Sequence, residues 1–184
     1  MGVRPPTREE KDLKKQKGFS LIELLIVVAI ILIIAAIAIP NLMRARIAAN
    51  ESSAVSSLRT INTAEVSYAT AYPNIGYSAL LTNLGPGGVT CPAGGPTNAA
   101  ACLIDNVLAS ATANGKSGYV IAETGGAANA QGIVVTYETE ATPQAFNQSG
   151  VRGFCSIEDA VIRWEANGTN AMGAAGCPPL LALQ

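Results

Sequence analysis

Two sets of side chains in this 184-residue chain could carry chemistry. The first is one carboxylate, Glu23, set inside an otherwise apolar run. From Phe19 to Ile39 the only polar side chains are Ser20 and Glu23, and from Leu24 to Ile39 there is none. An ionisable group in hydrocarbon costs on the order of 2.5–3.5 kcal/mol at the centre of a span, less toward an end, and marks a functional position. Such an anion can offset a cation held in the same apolar medium, each lowering the desolvation cost of the other. The second set is four cysteines, Cys91, Cys102, Cys155 and Cys177. Their even number and the absence of His argue for disulfides and against zinc.

Other chemistries lack their parts. Without His there is no Ser-His or Cys-His arrangement, so no catalytic set and no enzyme is expected. Glu158-Asp159 is one acidic pair without an oxygen-rich loop, which reads as a turn, so neither a metal nor a cofactor is expected. The Gly-rich stretch 85–95 is not a phosphate loop, because no Lys follows it and no strand precedes it. Three Asn-x-Ser/Thr tripeptides begin at Asn50, Asn147 and Asn167 and carry little weight alone. Tyr68 and Tyr72 read as helix–sheet packing, and Trp164 as a cap on the sheet core.

The elements that must position these groups follow from charge and periodicity. Apolar residues make up 49% and charged residues 14%, which fits neither a disordered nor a nucleic-acid-binding chain, and no nucleic-acid contact is evident. Residues 1–18 hold six Lys/Arg against three acids, a net of +3, while the rest nets −4. As a helix the apolar run would be roughly 31 Å long, enough to cross a bilayer. A basic tail before it places that end in the cytoplasm and the remainder outside. All four cysteines then face an oxidising compartment. Of the three possible pairings, Cys91 with Cys102 and Cys155 with Cys177 close the short Gly- and Pro-rich loops and are the expected ones, contributing about 3 kcal/mol each.

The basic start and apolar core also resemble a secretory signal, with Ala36-Ile37-Ala38 as a cleavage site. The run is longer than a typical signal core, however, and helical character continues beyond it. There is no Gly between Gly18 and Gly76. Ile47, Ala54, Leu58, Ile61, Tyr68 and Tyr72 form an apolar stripe, with Arg44, Arg46, Asn50, Glu51, Ser52, Ser56, Ser57 and Arg59 on the other surface. One helix is expected from Phe19 to Tyr72, kinked or locally melted at Pro40 and ended by Pro73 and Gly76. A loop region with short helices follows over 74–118. Strands are expected at 119–123, 132–138, 152–157 and 161–165, in an antiparallel meander with a loose tail from Gly173 tied by Cys177. The predicted fold is α+β: a long helix packed on a small sheet of about four strands. Its segments are a leader (1–18), a transmembrane helix (19–40), an amphipathic half (41–73), an αβ loop (74–118) and a meander with its tail (119–184).

Lys17-Gly18-Phe19-Ser20-Leu21-Ile22-Glu23-Leu24, with the run into Ile39-Pro40, resembles the type IV pilin and pseudopilin family. Gly118-Tyr119, Ala141-x-Pro143, Ser149-Gly150-x-Arg152-x-Phe154 and Glu158-Asp159-Ala160-x-Ile162-Arg163 are similar to the sheet of small bacterial pilins. The resemblance implies a prepilin. A peptidase would cut between Gly18 and Phe19 and methylate the new Phe19 amine, and Gly18 supplies the flexible, side-chain-free position such a cut needs. The freed helix would then leave the inner membrane and polymerise with other copies through the pilus assembly machinery. Glu23 would set register against neighbouring amines, and Pro40 would be a point where the helix can extend. The chain would sit first as a single-pass inner-membrane protein, leader cytoplasmic and C-terminal domain periplasmic, then in an extracellular filament. The alternatives are a type II secretion pseudopilin, a monomeric membrane-anchored domain, and a secreted domain cut after Ala38.

Overall fold

The computed structural model describes residues 18–168, 177 and 181–183. All of the expected leader (1–18) except Gly18, and much of the expected tail, lie outside the described residues. Contacts divide the chain into two units, 1–40 and 41–184. Helix α1, Leu21–Ala71, has its first part in one and its second part in the other. Its bounds follow from composition: the helix begins after Ser20, and Pro73 lies two residues past its end.

In the first unit the helix is apolar all round, and none of its side chains is buried. It is long and apolar enough to cross a membrane. Pro40 lies inside α1, with helix assigned on both sides of it.

In the second unit α1 becomes amphipathic. Ala54, Leu58, Ile61 and Tyr68 are buried at helical spacing, as the stripe predicts, whereas Ile47 and Tyr72 are only half-buried. Two residues expected on the outer surface are buried instead. Glu51 is drawn in by Arg152, and the Ser57 hydroxyl donates to the Ser53 carbonyl and accepts from Lys116. The exposed face is rich in hydroxyls. Those of Ser52, Thr60, Thr63, Ser67 and Thr70 each donate to the carbonyl four residues earlier, at 2.8–3.1 Å.

Three one-turn helices follow: α2 (Leu81–Leu84), α3 (Asn106–Ala109) and α4 (Ala111–Asn114). Asp105 caps α3 by accepting from Leu108 N at 2.8 Å. The sheet then runs β1 (Tyr119–Gly125), β2 (Tyr137–Pro143), β3 (Gly153–Ile157), β4 (Arg163–Glu165) and β5 (Leu181–Ala182), all antiparallel and in chain order. Tyr119 opposes Pro143, Ile121 opposes Ala141, and Ala141 opposes Phe154. That register turns Tyr119, Ile121, Tyr137, Thr139, Ala141 and Phe154 toward α1, where all are buried.

Two expectations need correction. The second strand lies at Tyr137–Pro143 rather than 132–138. The apolar Val134 is taken up by the segment after α1: its N–H donates to Ile75 O at 2.8 Å, and Tyr77 N donates to its carbonyl at 3.0 Å. Gly76, at φ +83°, permits this approach, since a Cβ there would collide with the Val134 carbonyl. The sheet also gains a fifth strand, where Leu181 and Ala182 pair with Trp164 and Arg163.

Candidate functional site

The N-terminal end of α1 displays the residues singled out for processing and assembly. Gly18 stands in open space; a Cβ built on it would meet nothing within 4 Å. Phe19 is 81% exposed. Ser20 immediately precedes the helix, and its backbone N–H donates to Glu23 Oε2 at 2.9 Å. Glu23 therefore reaches back over the first turn and satisfies one of the backbone donors that a helix start leaves open. Ser20-Leu21-Ile22-Glu23 has the Ser-x-x-Glu spacing of a capping box, and this pair is half of one. The spacing was legible in the sequence and was missed, because the carboxylate drew notice only as an isolated charge. Its position in the first turn also suits the positive end of the helix dipole.

In the second unit, Tyr119, Ser149, Gly150 and Arg152 help hold α1 to the sheet. Asn50 Nδ2 donates to Ser149 O at 2.8 Å. Glu51 Oε1 accepts from Val151 N and Arg152 N, both at 3.1 Å, and Oε2 accepts from Arg152 Nε at 2.9 Å and Nη2 at 2.7 Å. The Arg152 guanidinium lies 5.5 Å from the Phe154 ring centroid and 5.7 Å from that of Trp164. Tyr119 Oη donates to Arg152 O at 2.8 Å, and a Cβ on Gly150 would collide with the Tyr119 ring. Burial pushes the Glu51 carboxyl up, but the side-chain and backbone hydrogen bonds from Arg152 and Val151 outweigh it and hold the group below its ordinary value. Farther along α1, Asn62 Oδ1 accepts from Tyr137 Oη at 3.0 Å and Asn62 Nδ2 donates to Ser156 Oγ at 2.9 Å, both buried.

Cys91 is disulfide-bonded to Cys102, and Cys155 to Cys177. Cys155 and Cys177 are both fully buried, with Ile157 packed on them. Asp159, in the turn before β4, is ion-paired with Arg163 at the start of that strand, and hydrogen bonds from Arg163 and Val161 N hold the carboxyl below its ordinary value. No group of three or more His, Cys, Asp or Glu side chains is placed to hold a metal among the described residues. The Asn50 amide donates to Ser149 O, and the Ser149 hydroxyl accepts from Ala145 N and donates to Ala145 O. The Tyr68 and Tyr72 rings pack in a tilted pair with centroids 4.8 Å apart, and Tyr68 Oη donates to Asn98 O. Trp164 packs half-buried against the core.

Residues 13–39 match the family model described as the prokaryotic N-terminal methylation motif. The chain is 48% identical over 54 residues to the type IV major pilin protein PilA of Myxococcus xanthus. It is 60% identical over 40 residues to the type IV wide pilus major component PilA4 of Thermus thermophilus. These matches cover 29% and 22% of this chain, and 24% and 30% of the two relatives. The chain thus spans under a third of the length of the curated relatives it matches. No solved structure matches.

Proposed function

We propose that this chain, whose N-terminal segment is that of the type IV pilin family, is a structural subunit of a type IV pilus. It is made as an inner-membrane precursor with the basic leader in the cytoplasm. A prepilin peptidase cuts between Gly18 and Phe19 and methylates the Phe19 amine. The subunit then leaves the membrane and polymerises with other copies through the apolar helix of residues 19–40. The observation that carries this reading is the methylation-motif match, which brackets Gly18, Phe19 and Glu23 in one segment. The wholly exposed apolar part of α1 supports it, since such a surface needs lipid or like helices around it.

The role of Glu23 follows from charge. Cleavage gives Phe19 an α-ammonium beside a helix that has left water. Glu23, already folded back onto Ser20 N–H, presents its carboxylate at that end. Each charge alone is costly in an apolar bundle, and paired between neighbours they offset each other. The pair sets register more than it adds raw stability. The Ser20 contact gives Glu23 a partner before any neighbour arrives, which lowers the penalty of keeping it in the membrane.

The test is the mass of the mature protein together with its yield in sheared filaments. An N-terminal methylated Phe19 in bulk filament is expected. A mature chain beginning at Ile39 would mean an ordinary secreted domain and sink the reading.

A further inference from the structure

Glu65 on α1 and Glu123 on β1 lie in the core, 0% and 7% exposed. Glu65 Oε2 accepts from Ser78 N at 2.8 Å. Among the described residues, Glu65 Oε1 and both oxygens of Glu123 have no donor while both groups are carboxylates. The groups acting on them there are each other and Ser78, and no described Lys or Arg acts on either. The titratable groups that feel both carboxyls are Tyr68 on α1 and Tyr137 on β2; Tyr68 in turn faces Tyr72, and Tyr137 faces Tyr77 and Asp159, none of them a cation. Tyr68 and Tyr137 direct their hydroxyls elsewhere, to Asn98 O and Asn62 Oδ1. Two adjacent buried anions with three orphaned oxygens would be strongly destabilising. One proton removes the repulsion and supplies the missing donor.

We propose that Glu65 and Glu123 form a proton-bearing carboxyl pair that locks the second half of α1 onto β1 and loosens when alkali removes the proton. Glu123 donates its acid proton to Glu65, and Ser78 N–H fixes the acceptor. Burial first, then the neighbouring carboxyl, pushes Glu123 up; burial likewise pushes Glu65 up against the two hydrogen bonds it accepts. The sign follows from linkage. Unfolded, both groups ionise near 4.5; folded, the pair keeps a proton well above that. Its stabilisation is therefore complete below about 4.5 and is lost as pH rises toward the folded value. The role is independent of how the filament is built.

The test is urea unfolding of the full-length protein in detergent micelles across pH, comparing wild type with Glu123→Gln. Each proton taken up on folding makes the unfolding constant rise about tenfold per pH unit. Glu138, raised to about 7 by burial and by Glu140, adds its own slope below that pH, so the comparison is read from about pH 7 to about pH 9. Wild type is expected to weaken about tenfold per unit there, and Glu123→Gln, which keeps a donor but has no proton to lose, to stay flat. Equal slopes overturn the proposal. Infrared spectra of wild type keep it falsifiable even if the variant fails to fold: a protonated-carboxyl band is expected to persist at pH 8, and its absence overturns the proposal. A calcium- or magnesium-dependent stability that Glu123→Gln abolishes would assign the pair to a metal ion and also overturn it.

Discussion

Glu51→Gln isolates the clamp between α1 and the start of β3. The carboxylate takes four donors, two of them from a guanidinium. Glutamine keeps the volume and one oxygen, so no cavity forms. The other oxygen becomes an NH2 facing a donor, which removes the charge-assisted pair and opposes two donors. Hydrogen bonds to charged groups contribute about 1.5–3 kcal/mol net. Side-chain exposure of 40% for Arg152 screens the pair, while 8% for Glu51 does not. The loss should therefore be about 2–3 kcal/mol, roughly 30- to 150-fold in the unfolding constant. The carboxyl is held low in the folded state, so its contribution is full above about pH 4.5 and fades as pH falls through the folded value. The gap between wild type and Glu51→Gln should be constant from about pH 5 to about pH 7 and close in acid. Urea unfolding of the full-length protein in micelles, read by the chain's one Trp, Trp164, measures this directly. A gap under about 0.5 kcal/mol at pH 7, or one that persists unchanged into acid, refutes the reasoning.

Glu23→Gln should leave processing intact and cut sheared-filament yield severely; filament at wild-type level would remove the pairing role. Gly18→Ala should slow removal of the leader, seen as precursor accumulating on a gel, and because nothing surrounds that position the effect reports the peptidase rather than folding. Cys155→Ser together with Cys177→Ser should lower stability by about 3 kcal/mol in the same unfolding assay, while matched stability with and without reductant in wild type would contradict it. Leu58→Ala, at a fully buried position, should lose about 2–5 kcal/mol, with a loss under about 1 kcal/mol showing that the helix–sheet seam is not the core.

Local patterns carried most of the architecture. Helix α1 is expected at 19–72 and runs Leu21–Ala71, because Pro73 and the absence of Gly between Gly18 and Gly76 fix it within a few residues, with Pro40 accommodated inside it. Strands β1 and β3 stood out by their β-formers. Long-range pairing was what the sequence hid. Ile133-Val134-Val135 has strand composition, but Ile75 and Tyr77 take its backbone, and the sheet begins later, at Tyr137. Glu51 and Glu65 look like ordinary outer-face residues until partners 101 and 58 positions away are known. Two-residue β5 has no signal of its own and exists because β4 offers an edge. At the N-terminal end of α1 the Gly18-Phe19 step and Glu23 stood out by their motif alone, and the short-range contact of Glu23 to Ser20 went unread.

The hydroxyl-lined face of α1 between Ser52 and Thr70 has a consequence for where that face can live. A hydroxyl usually ties a surface to water, since covering it strands a proton. Here five of those protons are already held by the helix's own carbonyls, leaving only lone pairs outward. Those five positions are nearly indifferent to their medium. Water wets them through the lone pairs, and a close-packed neighbour can cover them without orphaning a donor, provided that it leaves the exposed Arg59 guanidinium in water. Those positions can thus tolerate either surrounding, whereas the wholly apolar part of α1 cannot.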